Sequence, residues 1–237
     1  MQIKTFWEMI FVMLIAIAPA ALAGGDAAQE AIQRGNDAFA RGQYELAILE
    51  YQEALPGFTS HYSTARYNLG VCRFKLGQTK EAVVEFREAI KARSGHYPPA
   101  SYALGLALED LGDWREAKAA FNQALDASHG RHARAQFELA MIHHRQGDYR
   151  VAAEGYRQAI KQADGRFAVS HNNLGIVLAA LGHWDEAERE FDLAARQSKG
   201  RLAEAAHNLK LCRSLRASRS PSLLASLMTA GQAAFGE

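Results

Sequence analysis

Hydrophobic and small residues return along this chain at a step of 35. Gly35, Gly70, Gly105, Ala140 and Gly175 share one register, and Gly42, Gly77, Gly112, Gly147 and Gly182 share another. Ala47, Ala82, Ala117, Ala152 and Ala187 form a third series. Tyr51, Phe86, Phe121, Tyr156 and Phe191 form a fourth, and Ala54, Ala89, Ala124, Ala159 and Ala194 a fifth. Each step holds two helical stripes. Tyr102, Ala103, Leu104, Leu106, Ala107 and Leu111 recur at helical spacing, Gly112 and Asp113 interrupt them, and Trp114, Ala117, Ala120, Phe121, Ala124 and Leu125 make a second stripe. The pattern predicts an all-α chain of five helical hairpins at 28–62, 63–97, 98–132, 133–167 and 168–202. Small residues are expected where helices approach, with Leu104, Trp114 and Phe121 filling the remaining space. One hairpin cannot bury both its faces, so stacking on the next is expected to complete each core.

The ends break the period. Residues 203–216 repeat a first helix without a second: His207, Asn208 and Leu209 stand one step after Asn172, Asn173 and Leu174. Glu204, Lys210, Arg213 and Arg216 make this stretch more polar, as suits a capping helix over the last apolar face. Residues 217–221 read as a Ser- and Arg-rich linker, and 222–235 as a short amphipathic tail carrying Leu223, Leu224, Leu227, Met228 and Phe235. Residues 1–23 have the parts of a secretory leader: Lys4, an apolar run over 9–18, Pro19, and the small residues Ala21 and Ala23 before Gly24. The run is well short of the ~20 residues of a membrane span. The expected location is periplasmic or secreted after cleavage. The alternative is an uncleaved leader that anchors the chain to the membrane at its N-terminus.

Composition narrows the chemistry. The formal net charge of +1 gives no field that argues for nucleic acid or a membrane surface. Cys72 and Cys212 are the only cysteines. They lie four repeats apart, too few and too distant for a disulfide framework or a cysteine zinc site. There is no phosphate-binding glycine loop, HExxH, CxxC or nucleophile elbow. His143 and His144 point about 100° apart on a helix and do not converge. His129 and His132 share a corner, where solvated loop histidines are commoner than metal ligands. Glu109-Asp110 and His144-Arg145 occupy equivalent helix ends and read as an ion pair between neighbouring repeats. No catalytic residue, metal or cofactor is assigned, and a metal-dependent hydrolase is the outside alternative.

The repeats resemble the tetratricopeptide repeat family over about 28–202. Its first-helix Leu-Gly pair is matched by Leu69-Gly70, Leu104-Gly105 and Leu174-Gly175, with Leu139-Ala140 a departure. Its turn Gly and following aromatic are matched by Gly42/Tyr44, Gly112/Trp114, Gly147/Tyr149 and Gly182/Trp184, while the second repeat has Thr79. Where the family often has Pro after the second helix, this chain has Thr59, Ser94, His129, Asp164 and Lys199. The last four are followed by Gly95, Gly130, Gly165 and Gly200, and a left-handed Gly there can end a helix. The resemblance implies a right-handed α-solenoid of five 35-residue hairpins plus a capping helix. It also implies a concave groove lined by the first helices, and protein binding without catalysis.

On that resemblance the groove positions are Ile32, Asn36 and Phe39; Tyr67, Val71 and Phe74; Tyr102, Leu106 and Glu109; Phe137, Met141 and His144; and Asn172, Ile176 and Ala179. The expected partner-binding set is Phe39, Tyr67, Val71, Phe74, Tyr102, Leu106, Phe137, Met141, His144, Asn172 and Ile176. An apolar groove with aromatic walls suits an amphipathic helix or an extended apolar segment. The competing reading packs the rings between helices and exposes only their edges. A subtype of the family clamps a carboxylate; Asn36 and Asn68 match its Asn positions, but Ile32, Pro99 and Ala103 replace its cations, which excludes that mode. His61, His96, Arg131, Arg166 and Arg201 form a row at the inter-repeat corners. It reads as a basic edge for an acidic partner or as cations complementing helix C-termini. Lys210, Arg213, Arg216 and Arg219 read as contact with anionic lipid or as solvation of the cap. The expected function is a scaffold or adaptor in the cell envelope. The alternative is an assembly factor holding the apolar helix of an exported client such as an apocytochrome. The tail offers a route to self-association.

Overall fold

The computed structural model describes residues 26–56 and 61–218. The leader reading and the tail lie outside them. Among the described residues every regular element is a helix. Helix α1 covers residues 26–40. It is followed by α2 (Tyr44–Glu53), α3 (Tyr62–Lys75), α4 (Thr79–Ala92), α5 (Pro98–Asp110) and α6 (Trp114–Ala127). Then come α7 (Ala133–Arg145), α8 (Tyr149–Gln162), α9 (Ala168–Ala180), α10 (Trp184–Ser198) and α11 (Ala203–Ser218). Odd-numbered helices are the first helices of the repeats, and even-numbered helices the second.

Two kinds of corner join them. Inside a hairpin, Gly42 takes φ +73°. Its N–H donates to Phe39 O at 2.9 Å, and that of Gln43 donates to Ala38 O at 2.9 Å. These bonds occupy carbonyls that the end of α1 leaves open. Between hairpins the sequence predicts a single left-handed glycine, and the structure differs. Ser94, His129, Asp164 and Lys199 are themselves left-handed, at φ 50–54°, and the following glycine is left-handed as well. At the end of α4, Ser94 N–H donates to Lys91 O at 3.0 Å and Gly95 N–H to Ile90 O at 2.9 Å. The non-glycine residue therefore carries the helix-ending conformation, and the glycine supplies the second bond.

The chain divides into two compact units, unit 1 up to Ala120 and unit 2 from Phe121. In both, the second-helix aromatic fills the hairpin. Tyr51, Phe86, Phe121, Tyr156 and Phe191 are all at most 2% exposed, and burying each such ring is worth about 1.5–3 kcal/mol. The first-helix glycine makes room for it. A Cβ on Gly70 would meet Phe86 at 2.6 Å, and one on Gly175 would meet Phe191 at 2.7 Å. The fourth repeat solves the contact the other way round, with Ala140 on α7 and the glycine, Gly155, on α8. A Cβ on Gly155 would lie 2.8 Å from that of Ala140. Leu104 and Phe121 are buried as expected, but Trp114 is not: at the start of α6 it is 39% exposed.

Candidate partner-binding surface

In unit 1, Tyr67, Val71 and Phe74 fall on one face of α3 by helical spacing. Tyr102 and Leu106 hold the equivalent positions on α5. All five are half-buried, as is Phe39 on α1, whose ring centroid lies 5.3 Å from that of Tyr44. The Tyr67 ring lies 6.0 Å from Phe86 and 5.6 Å from Tyr97, so one side is packed. Tyr97 belongs to a series that sequence reading passed over: Tyr62, Tyr97, His132 and Phe167 lie 35 apart, Tyr62 opening α3 and the other three each preceding a first helix. Beside the apolar strip, Tyr51 Oη donates to Asn36 Oδ1 at 2.8 Å, and Asn68 Nδ2 donates to the same oxygen at 3.2 Å. Burial pushes the Tyr51 hydroxyl up to about 12, so it stays a neutral donor. The Asn pair thus links α1 to α3. The strip itself carries no charge until its C-terminal end, at Lys75 on α3 and Glu109 and Asp110 on α5. There Asp110 Oδ2 accepts from Thr79 Oγ1 at 2.8 Å.

Unit 2 closes the same positions. Phe137, expected in the groove, is 8% exposed, with Tyr156 and Phe167 ring centroids at 5.6 and 5.1 Å. His144 is 5% exposed, edge-on to Tyr149, with Nδ1 at 3.3 Å from Tyr156 Oη. Burial lowers its pKa to about 4, so near neutral pH it is an uncharged core imidazole. Asn172 and Ile176 are also buried. These four residues are packing groups and offer little surface to a partner, because bulky neighbours from the adjoining corner and helices cover them. Met141 remains half-buried. The open stretch of the expected set therefore lies on unit 1.

Charged groups are mostly absorbed by the fold. In the basic row, His61 is half-buried and His96, Arg131, Arg166 and Arg201 are exposed. The backbone N–H groups of these four close the corner turns, donating to Arg93, Ser128, Ala163 and Ser198 carbonyls at 2.9–3.1 Å. Arg213 binds Glu188 at 2.8 Å, and Arg216 binds Asp185 and Glu188 at 2.9 Å. The capping helix thus pairs these two cations with α10, while Lys210 is exposed and Arg219 lies outside the described residues. Sequence reading also missed a pairing within the hairpins. On α3, Arg66 Nη1 reaches the buried Glu85 at 2.6 Å. At the same two positions in the fifth repeat, His171 Nδ1 lies 2.6 Å from Glu190 and Nε2 lies 3.1 Å from Gly165 O. Desolvation opposes a charge on the ring, but the contacts with Glu190 and Gly165 outweigh it, so the His171 pKa is raised.

His132 accepts from Ala135 N at 3.1 Å and caps α7. Among the described residues no cluster of three His, Cys, Asp or Glu side chains could hold a metal, and no helix is long and apolar enough to cross a membrane. Cys72 and Cys212 are buried free thiols, both pushed up to about 11 by desolvation.

The tetratricopeptide repeat model matches residues 32–97, 102–167 and 145–201. The chain belongs to the tetratricopeptide repeat family. Solved structures of other members share its fold. PilF of Pseudomonas aeruginosa aligns over 91% of this chain and 95% of its own, at TM-score 0.71 and 18% identity. MamA of Desulfovibrio magneticus RS-1 aligns over 74% and 97%, at 0.63 and 21%. YrrB, described as a tetratricopeptide repeat protein with an unusual peptide-binding site, aligns over 82% and 98%, at 0.61 and 23%. No curated protein sequence matches the chain. This tetratricopeptide repeat fold is of a type suited to protein–protein interaction.

Proposed function

We propose that this tetratricopeptide repeat protein is a non-catalytic scaffold or adaptor of the cell envelope. It binds an apolar helix or segment of another protein on the first-helix face of unit 1. The observation that carries the reading is the difference in burial. Tyr67, Val71, Phe74, Tyr102 and Leu106 stay half-buried, while Phe86 and Leu104 beside them are closed. The envelope location rests on the leader-like residues 1–23, and the peptide-binding site described for YrrB supports a peptide-type ligand. The absence of charge along the strip favours a narrower form, an assembly factor holding the apolar helix of an exported client. A photo-crosslinker at Tyr102 in cells should trap a protein, and one at the exposed Arg87 on α4 should not. Equal capture at both, or none at Tyr102, contradicts the reading.

A further inference from the structure

The corners of unit 2 gather cations that the fold leaves unused. Segments 126–134, 161–169 and 196–204 hold seven Lys or Arg against three Asp or Glu, so on a chain of net charge +1 the excess is local. Arg131, Arg166 and Arg201 occupy one register there. All three are exposed, and their guanidinium groups make no hydrogen bond or ion pair among the described residues. On unit 1 the corner side chains are engaged instead. His96, one step before Arg131, has Nδ1 at 3.0 Å from Ser94 O. Its neighbour Arg93 donates from Nε to Ser63 Oγ at 2.7 Å and lies over the Tyr97 ring.

The helix ends of unit 2 do not call for these arginines either. Ser128 Oγ donates to Ala124 O at 2.7 Å at the end of α6, and Ser198 Oγ donates to Ala195 O at 3.0 Å at the end of α10. Gln162 Nε2 donates to Gly130 O at 2.8 Å, and Gln197 Nε2 donates to Gly165 O at 2.6 Å, with His171 Nε2 at 3.1 Å from the same oxygen. Uncharged donors and His171 thus occupy carbonyls that a corner cation could have served.

We propose that Arg131, Arg166 and Arg201 form a docking edge for an acidic, extended peptide segment of a partner protein, in addition to the apolar strip on unit 1. A guanidinium offers a carboxylate two parallel hydrogen bonds. Helix α9 packs on α11, so Arg166 and Arg201, just before these helices, stand about one helix diameter apart, roughly 10 Å. An extended chain advances about 3.3 Å per residue, so Asp or Glu at every third position brings a carboxylate to each arginine in turn. Asp126, Asp164 and Glu204 are exposed among the cations. They disfavour a continuous anionic surface such as a lipid bilayer, whereas a peptide can place its charges between them.

The test is calorimetric titration of the full chain at low salt with a synthetic peptide of repeated Glu-Gly-Ser units, and with Gln-Gly-Ser as the uncharged control. The Glu peptide should bind, more weakly as salt is raised, and the Gln peptide should not. The triple variant Arg131→Gln, Arg166→Gln, Arg201→Gln should bind the Glu peptide about ten-fold or more weakly with its unfolding midpoint kept. Arg150→Gln, Arg189→Gln, Lys210→Gln removes the same charge from exposed sites away from the corners and should stay within about two-fold of wild type. Equal losses in both variants, or no binding of the Glu peptide at about 1 mM, overturns the proposal. A corner variant that unfolds earlier yet binds as wild type also overturns it and assigns the arginines to the helix ends. Phosphatidylglycerol vesicles bound through the same three arginines, with the Glu peptide left unbound, overturn it in favour of a membrane. None of these outcomes depends on partner binding at Tyr102.

Discussion

Ala140 and Gly155 show how single residues hold the array together. The fourth repeat has exchanged large and small across one helix pair, so Gly155→Ala should overpack α7 against α8. Overpacking costs about 1–3 kcal/mol, and alanine returns up to about 1 kcal/mol of helix propensity. A net loss of about 1–2 kcal/mol is expected in chemical denaturation. Adding Ala140→Gly should recover most of it, and additivity of the two changes would show that the contact is not shared. The two buried histidines titrate in opposite senses. His144 has a depressed pKa, so its neutral form stabilises the fold above about pH 6.5 and that stability is lost as pH falls toward 4, by up to about 3 kcal/mol. His171 has a raised pKa, so its contribution is present below about pH 6.5 and is lost as pH rises through the folded value. His144→Gln should flatten the acid limb of a stability–pH curve. His171→Arg, which copies the Arg66–Glu85 pair, should flatten the limb above about pH 6.5. Unchanged limbs would refute these assignments.

The corner is the informative element. Four second helices end on a non-glycine residue held near φ 50°, a conformation that costs an L-residue roughly 1–2 kcal/mol. Ser94→Gly should therefore raise the midpoint of unfolding, by up to about 1 kcal/mol after the entropy of the added glycine. A loss would mean that the serine side chain is needed there. Sequence alone marked these corners by their glycines, because composition shows where a left-handed residue is easy. It did not show that the residue before the glycine is left-handed too, since Ser, His, Asp and Lys share no common signature. The His171–Glu190 and Arg66–Glu85 pairs were written in the chain at equal separation. They become visible only when two helices are known to face one another at those positions.

At the scale of the whole molecule, the step of 35 carried the fold: the alanine and aromatic series lie in the cores of the two units, and the Gly42 series makes the exposed turns inside the hairpins. The surface was read less well. Tyr67, Tyr102 and Phe137 occupy one register and look alike in sequence. Phe137 is closed by Phe167 and Tyr156, whereas Tyr67 keeps one side partly open. What distinguishes them is the bulk that neighbouring elements bring, which is not a property of the position itself. With a net charge of +1 and an uncharged strip, binding on unit 1 should depend weakly on salt. The most direct measurement is the affinity of the full chain for an uncharged amphipathic helical peptide, compared between wild type, Leu106→Asp on the strip and Leu49→Asp on the exposed face of α2. Loss of about ten-fold or more for Leu106→Asp, with Leu49→Asp unchanged, is the expected result. No wild-type affinity tighter than about 1 mM, or equal losses in both variants, would contradict it.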